Sequence, residues 1–318
     1  MRSPSRIRRI LAALVVLPLA LAAWVGVSIL TLPSVAFLAK PGVSMTITVK
    51  DWNRKDHTFV VGPRNPYWTP YGAIPQALKK AVVASEDANF YSHDGVDYEA
   101  IQEAIKTDWR RGKFVRGGST ITQQVAKNLF LTREKTLIRK VKEFVLARRM
   151  DDALSKSRIL ELYLNVVELG PMVYGIGHAA QYYFGKRPSA LTVRECAFLA
   201  SMLPGPKVYN PYRKMARVMK RSDRILRRMV AARMISREEY DAAMTEVPNL
   251  SGLTRKVEKT LETPLPEEKP PEEKLPEEKP VEEKPVEEKP VEEKPVEEKP
   301  PEETPGGPAV VESPPPVR

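Results

Sequence analysis

Residues 10–32 form an unbroken apolar run, ILAALVVLPLALAAWVGVSILTL, with no charged side chain, and Arg2, Arg6, Arg8 and Arg9 stand before it. A bilayer core takes about 20 apolar residues in helical form, so the run is long enough to span one, and the arginines set the N-terminus on the cytoplasmic side. Ala20-Leu21-Ala22 has the small-x-small form of a signal-peptide cleavage site, which is the competing reading. An uncleaved anchor is favoured because Trp24 to Leu32 stay apolar beyond that site. On either reading the remainder of the chain is exported.

The other end limits the fold from the opposite side. From Pro264 to Glu303 the chain repeats pentads of the form Pro-x-Glu-Glu-Lys, with PVEEK four times, and has almost nothing to bury. Residues 251–318 are therefore expected to form a disordered, partly polyproline-like tail. Residues 264–318 hold 8 Lys and Arg against 17 Asp and Glu, a net −9, which leaves 43 against 23, a net +20, on residues 1–263. So basic a folded part points to nucleic acid, anionic lipid or a phosphate-bearing substrate. Export argues against nucleic acid and leaves membrane and phosphate. Three histidines and the lone Cys196 offer neither a metal cluster nor a disulfide framework, and Cys196, beside the apolar Ala197–Leu203, is a core residue.

Between these ends the periodicity is mostly helical. Alternation through Met45, Ile47 and Val49, resumed at Thr58-Phe59-Val60-Val61, predicts a small hairpin. Ile74, Leu78, Ala81, Val82 and Ser85 share one helix face. A second helix starts after Asp97 as N-cap, with Tyr98, Ile101, Ile105 and Trp109 expected inward, and stops at Arg110-Arg111-Gly112. Thr120–Gln123, Thr192–Glu195 and Ser236–Glu239 have capping-box form, and residues 212–234 make a long basic helix. The organisation expected is a basic cytoplasmic N-terminus (1–9), an anchor (10–32), a membrane-proximal linker with the hairpin (33–64), a mainly α-helical catalytic domain (65–250) and the tail (251–318).

Five stretches carry polar groups in patterns that helix solvation alone explains poorly. SEDANFYSHDGVD (85–97) sets Glu86 and Asp87 at the end of an apolar helix, where a carboxylate faces either a cleft or plain solvent; His93 is taken as a turn or packing residue. GGSTITQQVAKN (117–128) opens a helix at hydroxyls, with Gln123 and Lys127 on one face, Gln124 and Asn128 beside them and Ile121, Val125 and Leu129 roughly opposite. The helix N-terminus after two glycines suits an anion. Within 133–151, Lys135, Arg139 and Glu143 are spaced i, i+4, i+8, as a phosphate-binding stripe or an ordinary ion-paired surface would be. In 155–170, Ile159, Leu160, Tyr163, Leu164 and Val167 serve the core while Glu161 and Asn165 can support a site from the polar side. In 174–186 small residues permit close helix packing, and His178 is taken as structural.

In this order the five stretches resemble the five motifs of the peptidoglycan glycosyltransferase domain, glycosyltransferase family 51, over about residues 65–245; LPGPKVYNP (203–211) is similar as well. The likeness is nearest to the monofunctional biosynthetic transglycosylases, since no Ser-x-x-Lys or Lys-Thr-Gly of a transpeptidase is present. The resemblance implies a lysozyme-like, mainly α fold with a small membrane-proximal jaw. It also implies polymerisation of lipid II, with release of undecaprenyl pyrophosphate and inversion at the MurNAc C1, on the periplasmic side of the inner membrane. By motif match Glu86 is the general base and Glu143 the second essential carboxylate, orienting the pyrophosphate or a bridging divalent cation such as Mg or Mn. Lys127, Lys135 and Arg139 match donor-phosphate contacts, with Ser119, Gln123, Gln124 and Asn128 as hydrogen-bonding neighbours. Lys135 stands where some relatives have arginine and lacks its bidentate fork. The implied partners are lipid II, the growing lipid-linked strand, the inner membrane and other cell-wall synthesis proteins. Trp109, Arg110, Arg111, Lys113, Phe114, Val115 and Arg116 mix apolar and basic groups as a membrane-interface segment or a basic loop would. A lysozyme-like lytic enzyme and a non-enzymatic envelope scaffold are the competing readings.

Overall fold

Short polar residues at the helix starts set much of the order of this fold. A computed structural model describes residues 4–251 except 52, 113–117, 133, 135 and 207; the side chains of 4–13 and 111 also lie outside it. Lys135, the segment from Lys113 to Arg116 and the repeat tail are thus outside the described residues.

The apolar run is helical, α1 (Pro4–Leu30), with Pro18 inside it. From residue 14 onward its Leu, Val and Trp side chains are largely exposed, Leu14, Leu17, Trp24 and Leu30 among them. Among the described residues no helix is long and apolar enough to cross a membrane. The predicted hairpin forms as β1 (Met45–Lys50) and β2 (Asp56–Val61), antiparallel with Ile47 opposite Phe59. Phe59 lies 5.2 Å, centroid to centroid, from Tyr174, which ties the hairpin to the helical body.

That body contains α2 (Gln76–Glu86), α3 (Tyr98–Arg111), α4 (Ile121–Phe130), α5 (Leu137–Ala153) and α6 (Lys156–Val166). A short hairpin follows, β3 (Glu168–Gly170) with β4 (Val173–Tyr174), and then α7 (Ile176–Phe184), α8 (Val193–Met202), α9 (Pro211–Ala231) and α10 (Arg237–Thr245). All three predicted capping boxes are present, at Thr120, Thr192 and Ser236. Asp97 caps α3 by accepting from the Ala100 N–H, and Gly112 closes it in the left-handed region; such caps contribute about 1 kcal/mol each.

Helix α2 packs on α8 and α9, and α4 on α5 and α6. Burial is complete or nearly so at Leu78, Ala81, Val82, Ile121, Val125, Leu146, Ile159, Tyr163, Phe198 and Leu226, so the two groups share one hydrophobic core. Cys196 lies within it, and burial pushes its thiol up, as a core role requires. Gly177 is required by close packing: a Cβ there would come 2.0 Å from the Tyr67 carbonyl oxygen. Gly118 likewise sits against the Ile101 backbone.

Several elements differ from the sequence reading. The helix expected across 133–151 begins at Leu137, because Thr136 takes the N-cap and accepts from the Arg139 N–H. The stretch 155–170 divides into α6 and β3 at Val167. Tyr98, Ile105 and Trp109 point outward, Trp109 being 87% exposed, and α3 buries Ala104 instead. Of the expected apolar stripe of α3 only Ile101 is half-buried, against Gly118.

Candidate active site

The site grows from the end of α2. Asp87, where the helix stops, accepts the Ile121 N–H at 2.9 Å and lies 3.0 Å from His93 Nε2. Thr120 Oγ1 donates to the Gly95 carbonyl at 2.6 Å, and Gly95 holds φ +79°, where a Cβ would come 2.6 Å from the Ala147 carbonyl oxygen. These links seat the N-terminus of α4 on the C-terminus of α2. One turn into α4, Gln124 is thereby brought beside Glu86: its Nε2 donates to Glu86 Oε2 at 3.2 Å, while its Oε1 accepts from the fully buried Tyr163 hydroxyl at 3.2 Å. From the far side of the core, Arg221 of α9 sets Nη2 3.5 Å from Glu86 Oε1.

Glu86 is 10% exposed at its side chain. Burial raises its carboxyl above the ordinary value; the Gln124 hydrogen bond and the Arg221 and Lys127 charges oppose that rise, and Asp87 adds to it. A desolvated carboxylate whose burial outweighs its amide donor and the Arg221 and Lys127 charges keeps proton affinity, as a general base needs.

Glu143 is in a different state. It is 3% exposed, with Arg139 Nη1 2.7 Å from one oxygen and Lys140 Nζ on the other. Lys140 also donates to Ser119 Oγ at 3.0 Å, joining the loop before α4 to α5. Each oxygen of Glu143 thus contacts a cation, and the carboxylate draws positive side chains together. A groove of about 770 Å³ runs between the β1–β2 hairpin, α4 and Leu203–Pro206, and Gln124, Lys127, Asn128 and Arg139 line it. Neither carboxylate is in its wall. Glu86 meets the groove through Gln124, and Glu143 through Arg139.

The matching family model is described as transglycosylase and spans residues 55–230. The chain belongs to the transglycosylase family. Its curated relatives include the biosynthetic peptidoglycan transglycosylase of Herminiimonas arsenicoxydans, 47% identical over 167 residues that cover 52% of this chain and 72% of that protein. The enzyme of the same name from Paraburkholderia xenovorans is 48% identical, covering 52% and 70%. Penicillin-binding protein 1A of Aquifex aeolicus is 43% identical over 186 residues, but these cover only 26% of that longer protein. The crystal structure of penicillin-binding protein 1A from Haemophilus influenzae aligns at 24% identity and TM-score 0.35, over 69% of this chain and 24% of that one, too low a score to bear on the fold.

In this transglycosylase the structure draws together Glu86, Gln124, Lys127, Asn128, Arg139, Glu143 and Ser119 around one groove and its supports. Gln123 stands apart from them. It is fully buried, and its Oε1 accepts the Thr120 N–H in the capping box. Three contributors escaped the sequence reading. Arg221 comes from 135 residues downstream. Lys140 was reachable, since it lies three residues before Glu143, a pairing distance on a helix. The Asp87–His93 contact was reachable too, from the short loop that joins them. Glu161 and Asn165 fasten the segment before α2: Asn165 Oδ1 accepts the Thr69 N–H at 2.8 Å, its Nδ2 donates to the Thr69 carbonyl at 2.9 Å, and Glu161 Oε1 accepts the Tyr71 N–H.

Proposed function

We propose that this chain is a membrane-anchored peptidoglycan glycosyltransferase that polymerises lipid II into β-1,4 strands, inverting at the MurNAc C1 and releasing undecaprenyl pyrophosphate. The observation that carries the reading is the buried Glu86, its proton affinity raised, hydrogen-bonded to Gln124 of a groove wall that also holds Lys127 and Arg139. Glu86 takes the proton of the GlcNAc 4-hydroxyl as that oxygen attacks C1. The bond from C1 to the phosphate oxygen breaks on the opposite face, and its electron pair leaves with the pyrophosphate. Because that leaving group departs as a stable anion, it needs fixed cations more than an acid, and Lys127 and Arg139, with Lys135 by motif match, supply them. An inverting hydrolase needs an acid and a base about a water, and the cation-bound Glu143 is poorly suited to be that second group.

Two surfaces support a bilayer location. Helix α1 exposes Leu14, Leu17, Leu21 and Trp24 behind the N-terminal arginines, and α3 exposes Ile105 and Trp109 beside Arg110. Together they fit a single-pass inner-membrane protein whose groove faces the periplasm and whose α3 rests in the headgroup region. The test is turnover of labelled lipid II by the detergent-solubilised chain, following released undecaprenyl pyrophosphate and the configuration of the new linkage. A strand with retained α configuration sinks the single-displacement scheme.

A further inference from the structure

Helix α9 presents Arg213, Arg217, Lys220, Arg224, Arg227 and Arg228 to solvent and buries Val218, Ser222, Ile225, Leu226 and Met229. Arg221 lies at the edge of that buried face, 20% exposed, and turns inward toward α2. Its guanidinium carbon sits 5.2 Å from the Tyr209 ring centroid, its Nη2 reaches Glu86 Oε1 at 3.5 Å, and its Nε is buried with no hydrogen-bond partner among the described residues. A saturated structural ion pair looks different, since charge-assisted N–H···O bonds close to about 2.7–2.9 Å and arginine prefers two of them. The Arg139 contact on Glu143 has that short length, 2.7 Å, although the Arg139 Nε too has no hydrogen-bond partner among the described residues. The two oxygens of Glu86 are therefore unlike: Oε2 accepts the Gln124 amide, whereas Oε1 has a cation close enough to favour its charge but too far to occupy its lone pairs.

Resting on the reading of Glu86 as general base, we infer that Arg221, stacked on Tyr209, is the positioning residue that keeps Glu86 ionised and leaves Oε1 as the oxygen that takes the acceptor hydroxyl's proton. The groups facing Glu86 account for the division of labour. Asp87, next to it on the chain, works against ionisation; from α4, Gln124 and Lys127 work for it; Tyr163 of α6 acts through Gln124; and from α9 the cation is Arg221. Gln124 reaches only Oε2, through its Nε2, while the Tyr163 hydroxyl donates to its Oε1 and fixes the orientation of the amide.

A structural clamp between α2 and α9 would lower activity evenly when broken, whereas a residue that tunes the base moves the pH profile. The experiment measures polymerisation rate against pH with the full chain at saturating lipid II. In Arg221→Met the acid limb should rise by about 1 unit, the usual effect of a lost neighbouring charge. The rate on that limb then falls about tenfold and recovers on the alkaline plateau, while KM stays within about twofold. Tyr209→Leu should move the limb the same way by less, and add nothing to Arg221→Met, since both act through one guanidinium. If Arg221→Met does not fold, Tyr209→Leu decides. An acid limb at the wild-type position in the folded variants overturns the inference, whether or not their rates fall. Glu86→Gln run alongside separates the two claims: normal turnover by that variant removes the base itself.

Discussion

Glu86→Gln separates chemistry from folding because the structure makes opposite demands on that side chain. As the base, Glu86 must be ionised; as a 10% exposed group, it is destabilised by being ionised. Loss of a general base costs about 10²–10⁴ in rate, or roughly 3–5 kcal/mol of transition-state stabilisation. The amide keeps the shape, and its oxygen still accepts from Gln124 Nε2, so the fold loses no hydrogen bond there. Stability should respond in the other direction. Burial raises the folded-state value above the ordinary 4.5 of the unfolded chain, so between the two the folded state binds more protons. The stabilisation from Glu86 is thus fully present below 4.5 and is lost as pH rises through the raised folded value. The variant lacks that loss, so its thermal midpoint at neutral pH should equal or exceed that of the wild type, and the gap should close on acidification. Labelled lipid II polymerisation gives the rate, and thermal denaturation from about pH 4 to pH 8 gives the linkage. Turnover within about threefold of wild type would refute the base assignment. A midpoint that drops at neutral pH would refute the account of burial.

Three further outcomes follow from individual contacts. Gln124→Ala removes the amide donor from Glu86 Oε2 and leaves the Tyr163 hydroxyl unpaired; the acid limb of the rate profile should rise, and stability should fall by about 1–3 kcal/mol, read by denaturant titration. Asn165→Ala breaks the paired bonds to Thr69 and should cost about 2–3 kcal/mol, while the acid limb set by Glu86 stays in place. Trp109→Glu puts a carboxylate on the exposed apolar stripe of α3 and should weaken co-sedimentation with anionic vesicles while leaving the thermal midpoint within about 0.5 kcal/mol in stability terms; unchanged co-sedimentation would detach α3 from the membrane.

How far the sequence could be read depended on the range of each interaction. Thr120 and Asp97 announced helix starts correctly because a cap is decided within three residues. Thr136 obeys the same rule, yet the charged stripe through Lys135 drew the predicted helix too far toward its N-terminus. Gln123 and Gln124 are neighbours of one type: Gln123 fills the capping box that its spacing from Thr120 announces, whereas Gln124 turns toward Glu86 only once α4 has packed. Tyr98, Ile105 and Trp109 were placed on the right stripe and given the wrong side, because periodicity gives a stripe no direction. Arg221 left no local trace, since its partners, Glu86 and Tyr209, come together only when α9 folds back over α2. The motif resemblance located the residues of the site. It did not distinguish the lone donor on Glu86 Oε2 from the double cation grip on Glu143.

The central claim, that this groove builds strands from a lipid-linked donor, is tested most directly by offering the purified full chain two substrates in parallel, labelled lipid II and isolated sacculi. The account predicts long glycan strands with stoichiometric undecaprenyl pyrophosphate from the first and no soluble fragments from the second. Short fragments from sacculi, with lipid II left unpolymerised, would contradict it.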